Sequence, residues 1–440
     1  MISSPTPNVS ACPQCDILLQ HHETPDHHAS VCPRCGFVMR NNRPGTVDKV
    51  LALSITGLLV YLPAILLPLI TLEKLGMSDK ANVVDTVLQF FANKYYFVSF
   101  MTLVSTIVFP LMLLLLTFII SLQLKRNHPS KMLARLFRAY CHLEEWAMVE
   151  VFLLAILISI FKMIHTANIV FNAGLFCFIA LVFVTFGICV VLDKVRYWEL
   201  LDPTETAPAT LLVKENQRLD KQPELTAAQA GFALCLTCHK LLPTTNRSTE
   251  FSGQCSRCGE KVHLRKPGAM SRTLALVITS TLLLLPANLL PIMQVDFLGV
   301  PDRSTILDGI LYFLKTGSYL IGIIIMVASI FVPLFKVVGL SILLCSAHFG
   351  MPYFLRQKSK MFRIISFIGR WSMLDIFVIA LLISLVDFGF FTSIHVAPAS
   401  TFFCMAVATT MLAAITFDPR ILWDKCSPGS ATNNSNTLNQ

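Results

Sequence analysis

The chain has 440 residues, of which 54% are hydrophobic and only 14% charged, whereas ordinary soluble proteins carry about 25% charged residues. That shortfall leaves too little polar surface for a soluble enzyme, a disordered chain or a secreted disulfide scaffold, and it points to an integral membrane protein. The net charge of +9 would suit nucleic acid only if it gathered on one soluble face, and instead it falls between apolar runs.

The first ten residues, MISSPTPNVS, hold neither a basic n-region nor an apolar run, so no cleavable signal peptide is expected. Cys12-Pro-Gln-Cys15 and Cys32-Pro-Arg-Cys35 then form a module over 1–46, with 16 residues between the pairs. That spacing is typical of a structural zinc site, because two tight turns each offer two thiolates to a tetrahedral ion. A redox-active Cys-x-x-Cys pair is the rival, but a complete quartet suits a metal better than dithiol chemistry. His21, His22, His27 and His28 lie between the pairs and read as a solvated loop.

A bilayer core needs about 20 mostly apolar residues per helix. Four such runs follow within 47–196, at 47–70, 97–122, 147–167 and 170–192. Residues 197–231 are polar and read as a linker. A second module, Cys235-Leu-Thr-Cys238 and Cys255-Ser-Arg-Cys258, occupies 232–268. Within 269–420 come runs at 272–294, 318–346, 371–391 and 396–417, and a polar tail (421–440) closes the chain. The six remaining cysteines have no paired spacing and read as small apolar fillers.

The loops after the second and sixth runs are basic, holding Lys125, Lys131, Arg135 and Arg138 in one and Arg356, Lys358, Lys360 and Arg363 in the other. The positive-inside rule puts these loops, both cysteine modules and both termini in the cytoplasm.

A shift of 223 residues lays the first cysteine quartet on the second, Pro63 and Pro68 on Pro286 and Pro291, Asp85 on Asp308, and Pro110 on Pro333. With two more residues, Trp146–Glu150 falls on Trp371–Asp375, Lys162 on Asp387 and Asp193 on Asp418. The chain is therefore an internal duplication. Each unit has an even number of spans, so the two copies share one orientation and are parallel repeats. The expected fold is a mainly α, polytopic membrane protein: two tandem units, each a four-cysteine zinc ribbon followed by four transmembrane helices.

Ionisable groups inside spans are costly and are functional candidates by default. Here they are Lys162, His165, Lys336, Asp375, Glu150 and Asp387. Snorkelling, or a bridge to a neighbouring helix, is the alternative for the lysines, and interfacial capping for Glu150 and Asp375. The Leu-Pro-Ala-x-Leu-Leu-Pro runs at 62–68 and 285–291 would break spans one and five around a cavity, with Asn288 adding a polar contact, or simply end them. Pro110 and Pro333 would kink spans two and six as hinges or packing bends. Asn82 and Thr305, each three residues before an acid, resemble helix caps. No P-loop, nucleophile elbow or HExxH pair occurs, and no enzymatic activity is expected.

CPQC…CPRCG, LPANLLPI (285–292), GRWSMLDIFVIA (369–380) and TFDPR (416–420) closely resemble the paraquat-inducible protein A family, which includes the LetA-type inner-membrane proteins of Gram-negative bacteria. The resemblance covers about 11–200 and 232–425. It implies an inner-membrane component of an intermembrane lipid transport system that works with a periplasm-spanning MCE-domain tunnel protein and takes membrane phospholipid as cargo. It also implies that Lys162, Lys336 and Asp375 belong to polar transmembrane clusters. His165 stands where relatives tend to carry an acid. Proton movement through these groups would drive transport. A non-transporting membrane anchor and assembly scaffold fits the same topology and differs in tolerating neutralised intramembrane charges.

Overall fold

A computed structural model describes residues 8–21, 28–41, 45–74, 77–126, 130–163, 168–202, 225–244, 252–297, 300–315, 317, 319–385 and 392–424. The first cysteine module consists of two antiparallel hairpins, β1 (Asn8–Ala11) with β2 (Leu18–His21) and β3 (Ala29–Val31) with β4 (Val38–Asn41). Gly45 takes the left-handed conformation (φ 68°) at the start of α1 (Thr46–Leu66). That helix has 21 residues, about 31 Å at 1.5 Å per residue, which is enough to cross a bilayer core.

At its far end α1 passes through an extended Leu67 into β5 (Ile70–Lys74). This strand pairs antiparallel with β6 (Met77–Ala81) and, much later, with β7 (Asn168–Phe171), giving the order β6-β5-β7. The helix runs on through Pro63 but stops before Pro68, so a helix exit into a sheet takes the place of a broken span. Next comes α2 (Val83–Ala92), closed by a capping box: Asp85 N donates to Asn82 Oδ1 at 2.7 Å, and Asn82 N donates to Asp85 Oδ2 at 3.3 Å.

The second span is α3 (Tyr96–Leu103), a π-helical turn (Val104–Val108) and α4 (Phe109–Lys125) in one run. Pro110 sits just past the π turn, where the Phe109 N–H reaches back to the Val104 carbonyl. A widened turn of this kind accommodates a proline without ending the helix. Then follow α5 (Lys131–Leu143), α6 (Val149–Met163), α7 (Ala173–Val191) and α8 (Lys194–Leu201).

The second unit repeats the order. Hairpins β8 (Phe232–Leu234) with β9 (Leu241–Pro243) and β10 (Ser252–Gln254) with β11 (Lys261–His263) precede α9 (Ala269–Leu289), which runs through Pro286 and stops before Pro291. A second three-stranded sheet joins β12 (Met293–Phe297), β13 (Val300–Ser304) and β14 (Thr392–Val396). Helix α10 (Ile306–Lys315) starts behind Thr305, whose Oγ1 accepts from Asp308 N at 3.2 Å. Helices α11 (Tyr319–Met326) and α12 (Val332–Phe349) flank a π turn (Val327–Phe331) just before Pro333, the equivalent of the one in the first unit. Helix α13 (Leu355–Ile368), a 3₁₀ turn (Gly369–Met373) and α14 (Leu374–Leu385) follow, then α15 (Ala399–Thr416) and α16 (Ile421–Asp424).

Seven helical runs among the described residues are long and apolar enough to cross a membrane. The third expected span is represented by α6, whose 15 residues reach only about 22 Å. Its counterpart is longer because α13, the 3₁₀ turn and α14 join into one run over Leu355–Ser384. In the first unit a turn at 144–146 and two non-helical residues separate α5 from α6.

Within each unit the first span packs on the second and fourth: α1 on α4 and α7, α9 on α12 and α15. The units meet through their third spans, where α6 lies against α14 and the Phe152 and Phe377 rings stand 5.5 Å apart. Helix α14 also receives α2, and residues 372–384 are all buried. A span buried all round reads as apolar on every face, as 376–383 does, with Asp375 and Ser384 as the polar residues at its two ends. Part of the expected linker is folded. Residues 197–201 belong to α8, and 225–231 join the first module, where Leu18 N donates to Leu225 O at 3.0 Å and Ala227 N to Asp16 O at 2.8 Å. Residues 203–224 lie outside the described residues.

Candidate metal centres and an intramembrane polar site

Each Cys-x-x-Cys is a knuckle closed by a backbone bond from the residue after the second cysteine to the carbonyl of the first. These bonds run from Asp16 to Cys12 (2.8 Å), Gly36 to Cys32 (2.9 Å), His239 to Cys235 (2.9 Å) and Gly259 to Cys255 (2.8 Å). All four donors have positive φ, between 57° and 71°. Glycine takes that conformation freely, which accounts for Cys-x-Arg-Cys-Gly in the second knuckle of each module.

The knuckles face each other in pairs. Cys12 and Cys35 Sγ are 3.4 Å apart, Cys15 and Cys32 3.6 Å, Cys235 and Cys258 3.5 Å, and Cys238 and Cys255 3.4 Å. All the sulfurs of a quartet lie within 4.8 Å of one another, and all are buried. Four sulfurs at 2.3 Å from a tetrahedral zinc would stand about 3.8 Å apart, close to what is seen. A disulfide would need about 2.05 Å. Both quartets therefore fit a tetrahedral thiophilic metal, and four ligands leave no open position for catalysis.

Inside the second unit's bundle, Lys336 of α12 is completely buried. Its Nζ donates to Thr410 Oγ1 of α15 at 2.6 Å and to Ser372 Oγ in the 3₁₀ turn at 3.5 Å. Asp375, one turn further on, is also buried. Its polar neighbour is Ser329 on the π turn, and its Oδ2 has no hydrogen-bond partner. Lys336 and Asp375 thus occupy one polar region without forming an ion pair. Glu150, the counterpart of Asp375, is exposed, so the two units do not build the same site. Asn288 is half-buried and turns back on its own helix, its Nδ2 donating to Leu284 O at 2.8 Å. Lys162 lies in the last turn of α6; its side chain, together with His165 and Asp387, falls outside the described residues.

A model of the family described as Paraquat-inducible protein A matches residues 47–202 and 270–427, one match for each unit. The chain belongs to that family. Among relatives, it is 30% identical over 381 residues to "Intermembrane transport protein PqiA" of Escherichia coli (strain K12), covering 85% of each chain. It is 32% identical over 427 residues to "Lipophilic envelope-spanning tunnel protein A" of the same strain, covering 97% of this chain and 94% of the other. A "Probable intermembrane transport protein" of Haemophilus influenzae is 29% identical over 378 residues, covering 84% and 85%. No solved structure matches.

In this paraquat-inducible protein A family member, sequence reasoning missed Thr410, Ser372 and Ser329, since hydroxyls within an apolar run carry no signal of their own. It also missed an ionic network at the cysteine-module end of the bundle. Arg265 Nη2 donates to Asp16 Oδ2 at 2.9 Å, and its Nε to Asp424 Oδ2 at 2.8 Å. Asp418 accepts from Arg420 and from Lys266 N. Burial opposes ionisation of Asp418, but Arg420 and Arg265 beside it hold its carboxyl below the ordinary range. The TFDPR string contained the signal: an acid and an arginine two residues apart at the end of a span.

Proposed function

We propose that this protein is a multi-pass inner-membrane component of an intermembrane transport system, moving phospholipid or another lipophilic molecule between its own membrane and a periplasmic MCE-domain tunnel protein. The observation that carries the reading is the buried Lys336, held by Thr410 and Ser372 within an otherwise apolar bundle. The names of the relatives, which speak of intermembrane transport and an envelope-spanning tunnel, support the same role.

A membrane-buried ammonium is expensive to keep, and its use here is to meet the phosphate of a lipid headgroup. Lys336 is closed off as it stands, so lipid enters only when α12 separates from α15 and the 3₁₀ turn. The π turn ahead of Pro333 is the point in span six at which the helix can change register. Asp375, with one oxygen unpartnered beside Ser329, would take up and release a proton as the two arrangements exchange, and protonation that favours one arrangement shifts the population. The acyl chains would slide along the lipid-facing row of Leu274, Ile278, Leu282, Leu285 and Leu289 on α9, all exposed.

The basic loops and the cysteine modules face the cytoplasm in this reading, and the two small sheets face the periplasm, where the tunnel protein docks. The two quartets hold zinc as structural ions that fold the modules. The work is transport, with no catalytic step.

The test is transfer of fluorescent phospholipid between vesicles carrying this protein and acceptor vesicles carrying the MCE-domain partner. Lys336→Met and Asp375→Asn should each reduce transfer at least about tenfold while leaving the protein folded and membrane-inserted. Transfer unchanged with Lys162, Lys336 and Asp375 all neutralised would overturn the polar-site mechanism and favour a scaffold.

A further inference from the structure

Each cysteine module is joined by the chain to its own unit yet packs on the other one. The module-one cysteines share an apolar cluster with Phe362, Phe417 and Trp423 of the second unit. Those of module two belong to the large central cluster, which holds Phe137, Tyr140 and Trp198 of the first unit along with residues of the second. Here the crossing is carried by Arg138 Nε and His142 Nε2 of α5, 3.6 and 3.3 Å from Glu260 Oε2. Polar contacts at the knuckles follow the same crossing, whereas the outer edges of the modules hold to their own units through Arg40 to Glu199 and Arg265 to Asp424. Arg363 of α13 donates from Nη1 and Nη2 to the Cys35 carbonyl at 3.2 and 3.3 Å, and Arg138 of α5 donates from Nη1 to the Cys258 carbonyl at 3.3 Å. Arg138 and Arg363 are equivalent positions of the duplication, as are Cys258 and Cys35. A second equivalent pair crosses in the same sense: Arg34 lies over the Trp423 ring at 4.6 Å, and Arg257 Nε is 3.7 Å from Asp202 Oδ2. A contact made twice, at equivalent positions and in both directions, is a property of the fold.

The bonded carbonyl belongs in each case to the last cysteine of a quartet. A divalent ion with four thiolates has a net charge of −2 and is shut away from water, so a guanidinium beside it offsets charge as well as fixing geometry. Metal also fixes the knuckle and therefore the carbonyl the arginine grips. We infer that each module is a metal-dependent clamp on the interfacial helix of the opposite unit, with Arg363 and Arg138 as its positioning residues. The inference rests on the reading that both quartets hold a divalent metal.

The consequences for the two units differ. Helix α13 continues through the 3₁₀ turn that carries Ser372 into α14, which carries Asp375. Helix α5 is cut off from α6 by the turn at 144–146. Metal in module one is thus tied by continuous helix to the polar site around Lys336, and metal in module two is not tied to an equivalent place.

The test uses the full chain in lipid nanodiscs. Metal analysis of the unaltered protein comes first, and two zinc equivalents per chain are expected; a metal-free protein would overturn the metal reading and the inference with it. In metal-bearing protein, Cys12→Ser with Cys32→Ser should raise hydrogen exchange across 355–368 and leave 131–143 unchanged. Cys235→Ser with Cys255→Ser should do the reverse. Exchange that rises in the module's own unit, or in neither helix, would overturn the crossed clamp while leaving the metal reading intact. Should the cysteine variants not fold, Arg363→Gln provides the second measurement. It should release the module-one metal to a chelator about tenfold faster and leave module two unaffected, with Arg363→Lys in between. Equal release from both modules would overturn the role of Arg363.

Discussion

Arg420 holds Asp418 in a two-pronged grip, Nε to Oδ1 at 3.0 Å and Nη2 to Oδ2 at 2.8 Å, with both side chains buried. Asp418 takes a further bond from Lys266 N at 3.2 Å, and so pins the start of α9 to the end of α15. Removing one partner of a buried pair leaves an uncompensated charge and costs about 3–5 kcal/mol. Arg420→Met should therefore lower the melting temperature in detergent sharply, and adding Asp418→Asn should recover much of the loss. The pH dependence has a definite sign. The folded carboxyl ionises more readily than its ordinary value of 3.8, so its contribution is complete above that value and is lost as pH falls through the lower folded one. Acid melts of the unaltered protein should show this loss, and the double variant should lack it.

Lys336 and Thr410 separate structure from function. Thr410→Val keeps the side-chain shape but takes away the 2.6 Å partner of a fully buried ammonium, leaving Ser372 at 3.5 Å. An unsatisfied buried donor costs about 1–3 kcal/mol, more when charged. Lys336→Met removes the charge itself at similar volume. Thermal melts should rank Thr410→Val below the unaltered protein and Lys336→Met at or above it, while lipid transfer falls in both. A Lys336→Met variant that melts lower than Thr410→Val would mean that the ammonium stabilises the bundle instead of burdening it.

The caps behind the first hairpin of each small sheet should be local in effect. Asn82 caps α2 and Thr305 caps α10, and replacing such a cap by Ala typically costs about 1 kcal/mol. Asn82→Ala and Thr305→Ala should speed hydrogen exchange at the first turns of α2 and α10 respectively. The cost at α2 carries further, because that helix packs on α14. A loss of lipid transfer with Asn82→Ala but not with Thr305→Ala is the expected asymmetry.

What the sequence made legible was the covalent pattern. Cysteine spacing located both quartets, because a knuckle is a local turn whose αL position is often written as glycine. Proline pairs and cap residues fixed helix ends for the same reason, and the offset between the copies revealed the duplication. What stayed hidden depends on spatial neighbours. Lys336 could be seen in an apolar run, but nothing near it in the chain names Thr410, 74 residues away. The crossing of the modules was hidden too, since a repeat shows that two contacts are equivalent without saying which unit each joins. The shortening of the third span was nearly legible: Glu144-Glu145-Trp146 forms a turn where Gly369-Arg370-Trp371 stays helical. Hydropathy alone runs across both.

Gly174, the second residue of α7, sits against the exit of α1. A Cβ added there would come within 2.5 Å of Pro68 O and 2.6 Å of Leu67 O. Both obstacles are backbone in a stretch fixed between a helix and a sheet, so neither can swing aside. The equivalent position in the second unit is Ala399, whose N–H donates to Pro291 O at 3.2 Å and whose methyl group is fully buried, so the α9 exit already accommodates a Cβ. Gly174→Ala should therefore destabilise by about 1–3 kcal/mol, the usual cost of overpacking. Ala399→Gly deletes a buried methyl group as well as adding backbone freedom, and should cost about 1–2 kcal/mol. Thermal melts of the two variants side by side check this. A Gly174→Ala variant that melts with the unaltered protein would mean that α7 and the α1 exit relax apart easily, and that their close approach is not a constraint of the fold.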